Sequence, residues 1–277
     1  MTAALALSHD GAMRPRPEVA SLAYHEITDE RATSGFQRPG ALPFSLSRAA
    51  FALSLEAVAT SPCAPALATE LDLSRPGRHL LLTFDDGGKS ALYAADQLTR
   101  RGWRGHFFIV TSLIGSRTFL TRQEIRQLHD GGHLIGSHSH THPSFFSELP
   151  LDRMMQEWRI SAEVLSDLTG APCQAASVPA GDISPAVLES GAGAGFRFLF
   201  TVEPELRPRW SNGCWVLGRG LVKRRTSGSQ VRDLVQFRGW RRAMALRRLK
   251  VLARQACPPL YHQVVRRRTR SWEIGEG

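Results

Sequence analysis

Thr83-Phe84-Asp85-Asp86-Gly87-Gly88 closes an apolar run that begins at His79, and about fifty residues on His138-Ser139-His140-Thr141-His142-Pro143 closes another. Both runs have the length of a buried strand bounded by turn residues. The first block offers two adjacent carboxylates, the second two or three imidazoles. One carboxylate plus two imidazoles is a facial metal triad with open positions. The spare carboxylate is then free to act as a base on metal-bound water. Alone, Asp-Asp-Gly is also good turn chemistry, and His-x-x-x-His is modest evidence. Together, at strand ends, they point to a metal-dependent hydrolase.

Outward from these blocks the chain alternates. Residues 19–24 read as a first buried strand ending at His25-Glu26, and residues 47–59 have the helical spacing of Phe51, Leu55 and Val58. Further strands are predicted at 79–84, 106–110, 133–136, 174–178, 196–202 and 215–217, with helices at 90–101 and 151–168. Thr121-Arg122-Gln123-Glu124 is a capping box, and Ser184-Pro185 is an N-cap followed by proline in the first turn. Residues 229–256 read as one basic helix. Repeated βα units imply a parallel sheet covered by helices. In a barrel of this kind functional side chains sit at the C-terminal strand ends. His25, Asp85-Asp86, His138 and residues 179–181 all fall there.

A chain of 277 residues with 42% hydrophobic content suits one sizeable globular domain. The opening residues do not read as a secretion signal, and no apolar stretch has the length of a membrane span. Cys63, Cys173, Cys214 and Cys257 show no zinc-ligand spacing and are expected as reduced thiols in a cytoplasmic protein. The net charge of +10 is uneven: residues 219–277 carry +13 and the preceding 218 carry −3. That asymmetry suggests an anionic partner, or else a solvated basic helix with no specific partner. Nucleic acid is not expected, since the segment lacks interleaved aromatics and any recognised module.

Thr83 to Gly87 resembles the first motif, Thr-Phe-Asp-Asp-Gly, of the polysaccharide deacetylases, the NodB-homology group of carbohydrate esterases. His138 to His142 resembles their second, His-Ser/Thr-x-x-His. The resemblance implies a distorted (β/α)7 barrel over residues 19–220, preceded by an extension at 1–18 and followed by a basic helical C-terminal extension at 221–277. It implies removal of an acetyl group from a sugar. Asp86, His138 and His142 would bind a divalent metal, zinc in most of the family, and Asp85 would be the general base. His140 falls on a variable position of the motif.

The family's third motif, Arg-x-Pro-Tyr-Gly, is matched only by Ser177-Val178-Pro179-Ala180-Gly181. The backbone N–H of Ala180 can still serve as oxyanion donor, but Ser177 cannot replace the arginine that steadies the base. Asp182 would raise the pKa of Asp85 if the two were close. The late Leu-x-His motif, which supplies the acid, is matched in letters by Leu260-Tyr261-His262, beyond the expected last strand. His25 is the better-placed acid candidate, or else a histidine filling the barrel mouth. Trp103, Trp158, Trp210 and Trp215 are sugar-stacking or core residues. The reading is a cytoplasmic N-acetyl sugar deacetylase for cell-surface polysaccharide or glycolipid assembly. Its substrate is an acetylated sugar, free or lipid-linked, and its basic tail faces the anionic inner leaflet of the membrane. The alternatives are a non-sugar amidase and a catalytically weak glycan- or membrane-binding protein that keeps the fold.

Overall fold

The computed structural model describes residues 16–256 and Gln263. Strand β1 (Glu18–Tyr24) is followed by β2 (Glu26–Ile27) and β3 (Ser45–Leu46), which pair only with each other, and by α1 (Arg48–Val58). Four βα units come next: β4 (Arg78–Phe84) with α2 (Ser90–Thr99), β5 (His106–Ile109) with α3 (Arg122–Asp130), β6 (Leu134–Ser137) with α4 (Leu151–Thr169), and β7 (Ala175–Ser177) with α5 (Pro185–Gly193). Then follow β8 (Phe198–Phe200), β9 (Arg209–Ser211), β10 (Cys214–Leu217), β11 (Gly220–Leu221), α6 (Gly228–Val235) and α7 (Trp240–Ala256).

The main sheet runs β11-β1-β4-β5-β6-β7-β8-β10-β9, with every pair parallel except β10 and β9. One stretch of chain joins the β11 edge to β10, the strand next to the opposite edge. Leu217 in β10 pairs with Phe200 of β8, while Gly220 in β11 pairs with Leu22 of β1. Residues 214–221 therefore close the curl into a distorted (β/α)7 barrel. The bend lies at Gly218-Arg219. A Cβ on Gly218 would collide with the carbonyl of Glu203, and the Arg219 N–H donates to that carbonyl at 3.0 Å.

Strand alternation divides the core. Leu22, Tyr24, Leu82 and Phe84 face outward onto Phe51 and Leu55 of α1 and Leu98 of α2, whereas Val19, Leu81, Phe108, Phe200 and Leu217 fill the interior. The expected caps form. Thr121 and Glu124 close a reciprocal capping box, and Ser184 accepts from the N–H of Val187. Cys63, Cys173 and Cys214 are free thiols.

Three features differ from the sequence reading. The single basic helix expected at 229–256 is two, α6 and α7, because Phe237 and Gly239 take left-handed backbone (φ 61° and 79°). Trp210 and β9 form an antiparallel hairpin with β10 that the reading lacked. Val222, Val231, Val235 and Trp240 lie in the same core cluster as Leu22, so packing continues past residue 220. Leu260-Tyr261-His262 lies outside the described residues. Among the described residues no helix is long and apolar enough to cross a membrane.

Candidate active site

The β4 ladder carries Asp85 and Asp86 to the barrel mouth. Asp85 N–H donates to Tyr24 O at 2.9 Å, one residue past the end of β4. Asp86 then turns into left-handed backbone, φ 76°, which aims its carboxylate across the mouth. Gly88 is required beneath it, since a Cβ there would collide with the buried carboxylate of Glu26. The histidine loop follows β6, with His138 N–H donating to Ile109 O at 2.8 Å. Glu157 of α4 clamps that loop, accepting from the N–H groups of His140 and Thr141 at 2.9 and 2.7 Å. Six non-glycine residues among those described have positive φ, and four of them belong to this mouth: Asp86, Ser139, His142 and Ala180. Backbone held in that region tends to cluster at functional sites.

Asp86, His138 and His142 converge. One ligand atom from each lies within 4.8 Å of the others, and all three residues are buried. The Nε2 atoms of His138 and His142 stand 3.4 and 3.8 Å from Asp86 Oδ1. His138 Nδ1 donates to Ser177 O at 2.9 Å, which leaves its Nε2 as the ligating atom. Burial, then His138 and Arg38, push His142 down to about 3, keeping it the neutral imidazole that a metal requires. Arg38 lies over the Phe36 ring with its Nη2 3.4 Å from His142 Nδ1. Burial works against ionised Asp86, but His138, whose own pKa the Asp85 and Asp86 carboxylates raise against burial, donates to it and, with His25 beside it, holds its pKa well below the carboxylate range; a bound cation would take that proton's place. The donor set fits a divalent cation of the zinc type. His140 is not part of it; its ring lies apart from the converging atoms, with Nδ1 bonded to Thr111 at 2.9 Å.

Asp85 is held by a residue the sequence reading assigned elsewhere. Arg219 is fully buried, and all five of its N–H donors are engaged. Nη1 donates to Asp85 Oδ1 at 2.7 Å and to Thr83 Oγ1 at 3.0 Å. Nη2 donates to Asp85 Oδ2 at 2.9 Å and to Ser177 Oγ at 2.7 Å, and Nε donates to Thr201 O at 3.0 Å. Ser177 in turn donates to Asp85 at 3.2 Å. Burial alone would raise the pKa of Asp85; Arg219 and then His138 overcome it and hold the pKa below its ordinary value. Two expectations are corrected. Arg219 belongs to the site and not to a basic surface, and the arginine missing at residue 177 is supplied from the β10–β11 bend. Asp182 turns away, accepting from Ser147 N–H and Oγ–H at 2.9 and 2.6 Å.

His25 reaches the same mouth. Its ring packs on Phe44 at 4.7 Å, and its Nδ1 is buried without a hydrogen-bond partner. Burial lowers its pKa, while the Asp86 and Asp85 charges oppose that. Ala180 is exposed at the rim in left-handed backbone, φ 53°. Of the tryptophans, Trp158 is wholly buried, and Trp210 and Trp215 pack together near the end of β10 opposite Arg219.

Residues 72–199 match the family model described as polysaccharide deacetylase. The matched segment is a polysaccharide deacetylase domain. It is a hydrolase domain, and both paired motifs lie inside the matched segment, whereas His25 and Arg219 lie outside it. A search of the curated proteins by sequence finds no significant match. Solved structures share the fold of the deacetylase domain. A polysaccharide deacetylase from Bacillus cereus superposes with a TM-score of 0.67 at 19% identity, over 79% of this chain and 69% of that one. The Streptococcus pyogenes deacetylase PplD, in complex with acetate, gives 0.67 at 18% identity, over 80% and 99%. IcaB from Ammonifex degensii gives 0.66 at 21% identity, over 79% and 97%.

Proposed function

We propose that this protein removes the acetyl group from an N-acetylated sugar destined for cell-surface polysaccharide or glycolipid, with zinc held by Asp86, His138 and His142. The observation that carries the reading is the placement of Asp85. It stands beside the triad, its pKa held low, and oriented by a two-pronged bond from Arg219. A divalent cation in this triad supplies Lewis acidity toward the acyl oxygen and acidifies water.

The chain supplies the rest. Asp85 accepts the proton of the attacking water. The Ala180 N–H at the rim is the oxyanion donor; that role needs a backbone group and no side chain. His25 is the proton donor to the leaving amine. The stretch that follows the last barrel strand, Leu217-Gly218-Arg219, carries an arginine and no histidine. His25 faces the carboxylates with a free buried nitrogen, which fits the donor role. The binding-protein alternative rested on the loss of arginine at residue 177 and on the unplaced acid; Arg219 answers the first, and the His25 assignment is this reading's answer to the second. Acetate release from a panel of N-acetylhexosamine oligomers, with Asp85→Asn as control, tests the reading. No acetate from any of them at saturating zinc contradicts it.

A further inference from the structure

Helix α7 has two apolar faces. Trp240, Met244, Arg247 and Val251, spaced at i, i+4, i+7 and i+11, form the face that meets the barrel; Trp240 is 3% exposed and the other three are half-buried. Leu246, Leu249 and Leu252 lie on the opposite side and are 60, 63 and 61% exposed. Half of the exposed large hydrophobic side chains of the described residues are in this one row. The helix carries six Lys or Arg and no Asp or Glu, and Arg241, Arg242 and Arg248 beside the leucines are exposed.

The helix is tied to the catalytic mouth. Arg247 donates to Glu203 Oε1 at 2.9 Å and to Gly181 O at 3.1 Å. Gly181 adjoins Ala180, and the Glu203 carbonyl holds the Arg219 N–H. The leucine row therefore lies at the rim of the barrel end where Asp85 and the triad sit. Its charge selects the occupant. A second copy seated face to face would set Arg241, Arg242 and Arg248 against the same three arginines. Residues 257–277 are themselves basic, with four arginines against two glutamates. An anionic lipid surface satisfies the cations and takes up the leucines together.

We propose that α7 lies on an anionic bilayer with Leu246, Leu249 and Leu252 in the interfacial layer, and so holds the catalytic mouth against a lipid-linked glycan. The substrate class rests on the deacetylase reading; the membrane contact does not.

The test is co-sedimentation of the full chain with vesicles of equimolar phosphatidylglycerol and phosphatidylcholine, and of phosphatidylcholine alone, over a salt series. Two triple variants are compared: Leu246→Gln, Leu249→Gln, Leu252→Gln, and Arg241→Glu, Arg242→Glu, Arg248→Glu. The wild type binds the anionic vesicles and releases them as salt rises. The leucine variant binds on the order of ten-fold more weakly at equal salt, with an unchanged melting temperature because these side chains make no core contacts. The arginine variant loses the anionic preference. Asp85→Asn binds like the wild type, so a failed acetate assay leaves this result standing. No vesicle binding by the wild type at low salt overturns the proposal. So does a leucine variant that binds like the wild type, or leucine-dependent dimerisation in sedimentation velocity without vesicle binding.

Discussion

Arg219 and Asp85, 134 residues apart in the chain, meet through two parallel hydrogen bonds of 2.7 and 2.9 Å inside the barrel. The contact exists because β10 and β11 are one bent stretch that closes the sheet, and the bend turns Arg219 inward. A buried pair like this is costly to break from one side, about 3–5 kcal/mol, because an unpaired charge is left behind. Arg219→Met is therefore expected to destabilise the protein by that amount in urea unfolding. Arg219→Lys keeps the charge but loses the fork. It is expected to fold, keep its metal and lose about ten- to a hundred-fold in kcat. The acidic limb of its pH–rate profile should move upward, because Arg219 is what holds the Asp85 pKa low. An acidic limb that stays in place would remove Arg219 from the mechanism.

His25 as proton donor makes a substrate-dependent prediction. His25→Gln should lower kcat on an N-acetyl sugar by about 10²–10³-fold. It should affect para-nitrophenyl acetate far less, because that leaving group departs without a proton. Equal losses on both substrates would make His25 a packing residue against Phe44.

Glu26 lies buried under the Asp85–Gly88 turn, with Ser34 and Ser90 donating to Oε2 and Oε1 left without a partner. Burial raises its pKa from 4.5 to about 7. The folded state therefore holds a proton that the unfolded chain has already released between these values. The stability from that proton is complete below pH 4.5 and is lost as pH rises through about 7. Urea unfolding should show the wild type weakening over this window by up to about 3 kcal/mol. Glu26→Gln should lack that slope. Parallel pH dependences in the two proteins would mean that Glu26 ionises normally.

The two carboxylates and the histidines were legible because each set is local. Asp85 and Asp86 end one strand, and His138 and His142 sit within one turn after another, so spacing alone brings them to the same barrel end. Arg219 was not legible, since only barrel closure brings it to Asp85, and by position its charge merges with the basic run that follows. The α6–α7 break was hidden for a different reason. Residues 229–256 are helix-forming almost throughout, and the left-handed turn at Phe237–Gly239 is set by tertiary packing of Val231, Val235 and Trp240 on the barrel. The same packing splits the apolar residues of α7 into an inner and an outer face.

Base and ligand separate by paired substitution. Asp85→Asn is expected to keep its metal and lose about 10²–10⁴-fold in turnover, whereas Asp86→Asn loses both. Metal analysis of the purified variants beside acetate release checks this. An Asp85→Asn protein with near-wild-type turnover would require another base.

The central claim, a metal-dependent deacetylase built on Asp86, His138 and His142, is tested most directly by acetate release before and after chelation. Protein stripped of metal should release no acetate from N-acetylglucosamine oligomers and should recover on adding about one equivalent of zinc. A His138→Ala, His142→Ala protein treated in parallel should not recover. Undiminished acetate release by the stripped protein, or full recovery by the double variant, would contradict the account.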